Sequence, residues 1–131
     1  MYFANSKRLN NASGATITDL ALTSGAVVYS ETVNIQKNVG FLCLQVVEDK
    51  AGGSGDVDIY AEYSDDGTTW QRAYVSDLAG SITLDGNIVT ALQNVTRRII
   101  HTARLAKFLR YAFDPDADSQ ITADVTFQEE S

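Results

Sequence analysis

Three aspartates at alternate positions, in Asp114-Pro115-Asp116-Ala117-Asp118-Ser119, form a spacing suited to cation chemistry. Carboxylates arranged Asp-x-Asp-x-Asp can converge on a hard cation such as calcium, which takes oxygen ligands. The stretch does not continue as an EF-hand. Its sixth position is Ser119 where the loop needs glycine, and its twelfth is Val125 where a bidentate glutamate is required. The alternative for Asp114, Asp116 and Asp118 is an acidic solvated turn, bent by Pro115 and by the aspartates themselves.

The other residues that could carry a reaction are few. His101 is the only histidine, and no Gly-x-Ser-x-Gly elbow accompanies it, so a Ser-His-Asp triad has no evident nucleophile. Cys43 is the only cysteine, which excludes an intrachain disulfide and a cysteine-rich metal site. Within Phe41-Leu42-Cys43-Leu44-Gln45-Val46-Val47 it reads as a buried small apolar side chain. Asp56, Asp58, Asp65 and Asp66 lie on an outward strand face or at a turn tip, not across a cleft of the kind paired carboxylates need for glycoside hydrolysis. Gly52-Gly53-Ser54-Gly55 lacks the following Lys-Ser/Thr and helix of a phosphate-binding loop. The expectation is a protein that is not an enzyme and uses no metal and no cofactor.

The elements that would position these residues are strands. Val57, Ile59, Ala61 and Tyr63 alternate with Asp56, Asp58, Tyr60 and Glu62, the period of two of a strand with one buried face. Asp66-Gly67 follows as a tight-turn pair, and Trp70 opens the returning strand. Asp66, Gly67 and Trp70 are thus a structural hairpin, with Trp70 expected as a core anchor. Ile121, Ala123, Val125 and Phe127 alternate with Thr122, Asp124, Thr126 and Gln128 in a second one-sided strand. Phe41–Val47 is apolar on both faces, which places it centrally or under a neighbouring chain. Further strands are expected over 16–23, 27–35, 69–75, 81–84, 95–101 and 108–113, with Pro115 in a loop. Val95, Ile99, Ala103, Ala106 and Leu109 also fit a helical stripe. The β-branched cluster at its start favours two strands, with a short helix near 102–107 as the remaining option.

At 131 residues, 44% of them hydrophobic, the chain is long enough to bury one core. About eight or nine short strands at this spacing predict an all-β fold, an antiparallel β-sandwich of jelly-roll type. The predicted organisation is an N-terminal arm over 1–15, flexible or docking on a partner, and one β-sandwich domain over 16–131. Met1–Ala12 carries Lys7 and Arg8 with no apolar run after them, so it does not read as a secretory signal, and no stretch reaches membrane-spanning length.

The net charge of −7 argues against nucleic acid as a partner, since phosphate binding needs a basic surface. The basic residues are nevertheless clustered. Arg97, Arg98, Arg104, Lys107 and Arg110 fall within fourteen positions that contain no acidic residue, leaving five basic against seventeen acidic residues elsewhere. Such a band is either a solvated edge that discourages aggregation or a surface that meets acid on another copy or another protein. Arg97, Arg98, Arg104 and Lys107 are therefore the candidate contacts, together with Tyr2 and Phe3 on the arm.

Tyr63-Ser64-Asp65-Asp66-Gly67-Thr68-Thr69-Trp70 resembles the Tyr-Ser-x-Asp-Gly-x-x-Trp hairpin of discoidin-type sandwiches and, one residue short, the Asp-box of sialidase propellers. In both it is chiefly a structural turn. The wider arrangement is similar to small tailed-bacteriophage virion proteins. It joins the Gly25-Ala26-Val27-Val28-Tyr29-Ser30 strand, the hairpin, Ala103-Arg104-Leu105-Ala106-Lys107-Phe108-Leu109-Arg110-Tyr111 and the alternating C-terminal strand. That resemblance covers roughly 16–128 and implies a structural subunit of the virion, assembled in the host cytoplasm. The implied role is head decoration or cement, or else a tail or neck component, as a homo-oligomer (a trimer is the expected order) contacting major capsid or other virion proteins, with no membrane. A carbohydrate-binding module is the alternative, requiring an exposed aromatic platform of Trp70 with Tyr74 or Tyr60.

Overall fold

A computed structural model describes residues 2–36, 41–48, 57–72, 75–76, 82–83, 87–89, 96–102, 106–116 and 118–130. The strands in chain order are β1 (Tyr2–Arg8), β2 (Leu20–Leu22), β3 (Val28–Tyr29), β4 (Val33–Asn34), β5 (Phe41–Glu48), β6 (Val57–Ser64) and β7 (Gln71–Arg72). They continue with β8 (Val75–Ser76), β9 (Ile82–Thr83), β10 (Asn87–Val89), β11 (Thr96–Thr102), β12 (Phe108–Pro115) and β13 (Ser119–Glu130). The chain is all-β, and its two main sheets are antiparallel. One sheet runs β1-β13-β5-β11, with β2 also on β13; the other runs β10-β6-β12-β3, with β4 on β12 and β7 on β6.

The two sheets share one core. Leu42, Leu44 and Val46 of β5 and Ile121, Ala123, Val125 and Phe127 of β13 meet Val57, Ile59, Ala61 and Tyr63 of β6 and Leu109, Tyr111 and Phe113 of β12. These are the alternate positions of each strand, so the period of two in the sequence is the cause of the layer between the sheets. Burial pushes the Tyr63 and Tyr111 hydroxyls well above the ordinary phenol range, which keeps both neutral as core polar groups.

Several expectations are corrected. The first residues are not a separate arm: Tyr2–Arg8 pairs with β13 from Tyr2 opposite Glu130 to Arg8 opposite Asp124. Leu9 and Ile17, both fully buried, continue that attachment into the core, and the Leu9 N–H donates to the Ala123 carbonyl at 2.9 Å. The missed signal is weak because an edge strand with one solvated face carries few apolar residues.

The strand expected over 27–35 is broken in two. Tyr29 lies opposite Ala112 and Val33 opposite Leu109, so four steps on one strand span three on the other, the extra residue of a β-bulge. Ser30 makes the bulge tolerable. Its N–H donates to the Tyr111 carbonyl at 2.8 Å, and its hydroxyl accepts the Tyr111 N–H at 2.8 Å.

Pro115 is not in a loop but is the last residue of β12, buried opposite Val57, and its carbonyl accepts the Gly25 N–H at 2.9 Å. At a strand terminus its missing N–H costs little. Cys43 is only half-buried, because Leu42 and Leu44 take the inward positions of β5. Thr102 ends β11 as strand; residues 103–105 of the expected short helix lie outside the described residues. Strand β10 was not anticipated.

Leu44 is fully buried at the centre of the layer. Leu44→Ala is expected to lower the unfolding free energy by about 2–5 kcal/mol, the range for a truncated core leucine. Urea denaturation with an unchanged m-value would report it.

Candidate functional site

Strand β6 is buried on both faces, although only one faces the core. What covers its outer face is a row of charge. Glu62 lies directly opposite Arg110 on β12 and opposite Arg72 on β7, so three strands bring one carboxylate between two guanidinium groups. Arg110 Nε donates to Glu62 Oε1 at 2.8 Å, and Arg72 Nε donates to Glu62 Oε2 at 3.2 Å. The Glu62 side chain is 9% exposed, against 24% for Arg110 and 39% for Arg72. A carboxylate so far removed from water needs both partners.

A second row, two residues along each strand, is aromatic. Tyr60, Ala112 and Tyr29 lie opposite one another on β6, β12 and β3. Each arginine leans over a ring: the Arg72 guanidinium carbon is 3.8 Å from the Tyr60 centroid, and that of Arg110 is 4.0 Å from the Tyr29 centroid. A third ring comes from the turn, with the Trp70 centroid 4.5 Å from the Arg110 guanidinium carbon. Such contacts contribute about 0.5–2 kcal/mol each, more as the cation is desolvated. Alanine at position 112, the small member of the row, is fully buried between the two tyrosines.

The β6–β7 turn aims Trp70. The Asp66 carboxylate accepts the Thr68 and Thr69 N–H groups, each at 2.8 Å, and the Ser64 hydroxyl at 2.9 Å. The Ser64 hydroxyl in turn accepts the Gly67 N–H at 2.9 Å. Gly67 has φ +80°, a left-handed conformation that side chains with a Cβ resist. The backbone N–H groups of Thr69 and Thr68 hold the Asp66 carboxyl well below its ordinary value of 3.8. Trp70 is thereby only half-buried on the outside of the sheet rather than anchored in the core, which corrects its expected place.

The described candidate contacts lie on different elements. Arg97 and Arg98 lie on β11, opposite Val46 and Gln45 at the edge of the other sheet. Arg110 belongs to the Glu62 row, whereas Lys107 is exposed just before β12 and accepts the Ile35 N–H through its carbonyl at 3.0 Å. Arg104 lies outside the described residues. Tyr2 and Phe3 occupy β1 opposite Glu130 and Glu129. His101 sits on β11 opposite Leu42.

Nor do the three aspartates converge. Asp114 is on β12 opposite Asp58, while Asp118 accepts the Ser24 N–H at 2.9 Å and the Asp116 carbonyl accepts the Ser24 hydroxyl at 2.8 Å. Among the described residues, no three acidic, histidine or cysteine side chains group as metal ligands. The acidic stretch ties the β12–β13 turn to the Ser24-Gly25 turn.

On the opposite sheet, Ser6, Cys43, Gln45, Asp124 and Thr126 line a shallow concavity of about 310 Å³. Ser6 and Thr126 share a hydroxyl hydrogen bond of 2.6 Å, and Arg8 holds Asp124 while donating to Thr18 at 2.6 Å. Ser6 and Thr126 are thus engaged with each other, and Asp124 with Arg8.

The Arg72–Glu62–Arg110 row was missed from sequence. Its one readable signal was the outward phase of Tyr60 and Glu62 on β6; the arginines meet them only through the pairing of distant strands. No protein-family model matches the chain, and no curated protein matches it.

Two outcomes test this geometry. Glu62→Ala is expected to cost about 1–3 kcal/mol, below the 3–5 kcal/mol of a fully buried pair because both arginines keep contact with water. Thermal unfolding would measure it. Asp66 has a folded pKa lowered from 3.8, so its contribution is complete above that value and lost as pH falls below it. Asp66→Asn should therefore be less stable than the parent at about pH 6, with the difference shrinking by about pH 2.

Proposed function

We propose that this chain is a non-enzymatic structural subunit of a virion, acting as a head decoration or cement protein. The observation that carries the reading is the pair of long strand edges on one sheet. β1 and β11 are each seven residues long, and among the described residues each pairs along one side only. An open edge is a template for pairing with another chain, and a subunit that repeats over a lattice can use it so.

The nested pairing supports a jelly roll. The pairs β1·β13, β3·β12, β5·β11 and β6·β10 enclose one another like a long hairpin rolled into two sheets. It agrees with the resemblance to tailed-phage virion proteins. In this reading, copies bury edge and face surface against each other and against shell subunits, and multivalent repetition supplies the strength. Arg97 and Arg98, at successive positions of β11, are the basic residues on which this reading relies for charge complementarity.

The carbohydrate-binding reading has one observation in its favour: Tyr29, Tyr60 and Trp70 gather outside the sheet rather than in the core. Yet a guanidinium covers a face of each of these rings, so the flat platform that a sugar would stack on is already occupied.

Light scattering after size exclusion is expected to give a homo-oligomer, and the protein should co-sediment with expanded phage capsids. Arg97→Glu with Arg98→Glu should weaken that co-sedimentation at least about tenfold. A monomer that never binds shells yet binds a glycan array would overturn the proposal.

A further inference from the structure

The geometry points to the Arg72–Glu62–Arg110 row as a binding site for the carboxylates of an acidic peptide segment from a protein partner. Glu62 takes only one nitrogen, Nε, from each arginine. Among the described residues the terminal nitrogens of both guanidinium groups make no hydrogen bond, so two planar pairs of donors remain. Paired donors of this shape match a carboxylate.

The two groups are also held in place. Arg72 rests on the Tyr60 ring, and Arg110 contacts both the Tyr29 and Trp70 rings. Glu62 links them through its two oxygens. A ligand therefore meets arginines whose rotamer freedom is already spent, which lowers the entropic cost of binding. Arginine, tyrosine and tryptophan are also the residue types that dominate binding energy in protein interfaces.

Charge selects the ligand class. The row carries two positive groups against one negative, on a chain whose net charge is −7. Two rows along the same face, Asp58 lies opposite Asp114. An extended polyanion, such as nucleic acid or a sulfated polysaccharide, would run over these carboxylates and the acidic body beyond them. A short segment of aspartates or glutamates can place one or two carboxylates on the arginines and leave. This assignment goes beyond the virion reading and does not depend on it.

Trp70 is the only tryptophan, so its fluorescence reports directly on the ring beside Arg110. The full chain would be titrated at fixed ionic strength with hexaglutamate, with hexaglutamine, with inorganic phosphate and with a sulfated polysaccharide. The expected result is a saturable emission change with hexaglutamate, none with hexaglutamine, and about tenfold weaker binding in Arg72→Lys. Lysine keeps the charge beside Glu62 but loses the planar donor pair, and circular dichroism would check that the variant is folded. The assignment is overturned if hexaglutamate gives no saturable change, if Arg72→Lys binds it as tightly as the parent, or if only phosphate or the polysaccharide binds. Failure to bind capsids would leave this result unaffected.

Discussion

A carboxylate withdrawn from water on the outside of a sheet must be compensated there, and Glu62 is such a group. Its two oxygens are satisfied by arginines from two neighbouring strands, 48 and 10 positions away in the chain. Neither arginine can serve unless β6, β7 and β12 are in register, because a slip of one residue would carry the partner to the opposite face. The hydrogen bonds thus couple the turn after β6 to a strand from the far end of the chain. Tyr29, Tyr60 and Trp70 then cover the cations, and a nominally solvated face becomes a second packed layer.

The opposite sheet is built differently. Its inward positions make half of the core, while outer positions carry polar side chains joined in pairs, such as Ser6 with Thr126 and Arg8 with Asp124. β1 forms one edge, and Glu31 binds the chain as it leaves that edge through Lys7 and the Asn10 N–H at 2.6 Å. The sandwich therefore has two unlike sheets: one with an aromatic and cationic outer face, the other with β1 and β11 as its outermost strands among the described residues.

What could be read from sequence follows from the range of the signal. β5, β6 and β13 were recognisable because their signals are local, an unbroken apolar run over Phe41–Val47 in β5 and alternation in β6 and β13. The Asp66-Gly67 turn was readable for the same reason. Trp70 was misplaced because a large aromatic beside a turn suits a core or a cation equally, and Arg110 lies 40 positions further on. The break at Ser30 was hidden because Val27–Ile35 has strand composition throughout, and only the Tyr111 partner reveals the bulge. The basic run looked like one band in sequence, but the fold sends Arg97 and Arg98 to one sheet and Arg110 to the other.

The packed outer face depends on Glu62 and Arg110 being energetically coupled rather than merely adjacent. A double-mutant cycle with Glu62→Ala, Arg110→Ala and the double variant, followed by urea denaturation, isolates that coupling. An interaction energy of about 1 kcal/mol or more is expected, as for a charge-assisted pair largely shielded from water. Strictly additive effects of the two single substitutions would contradict it.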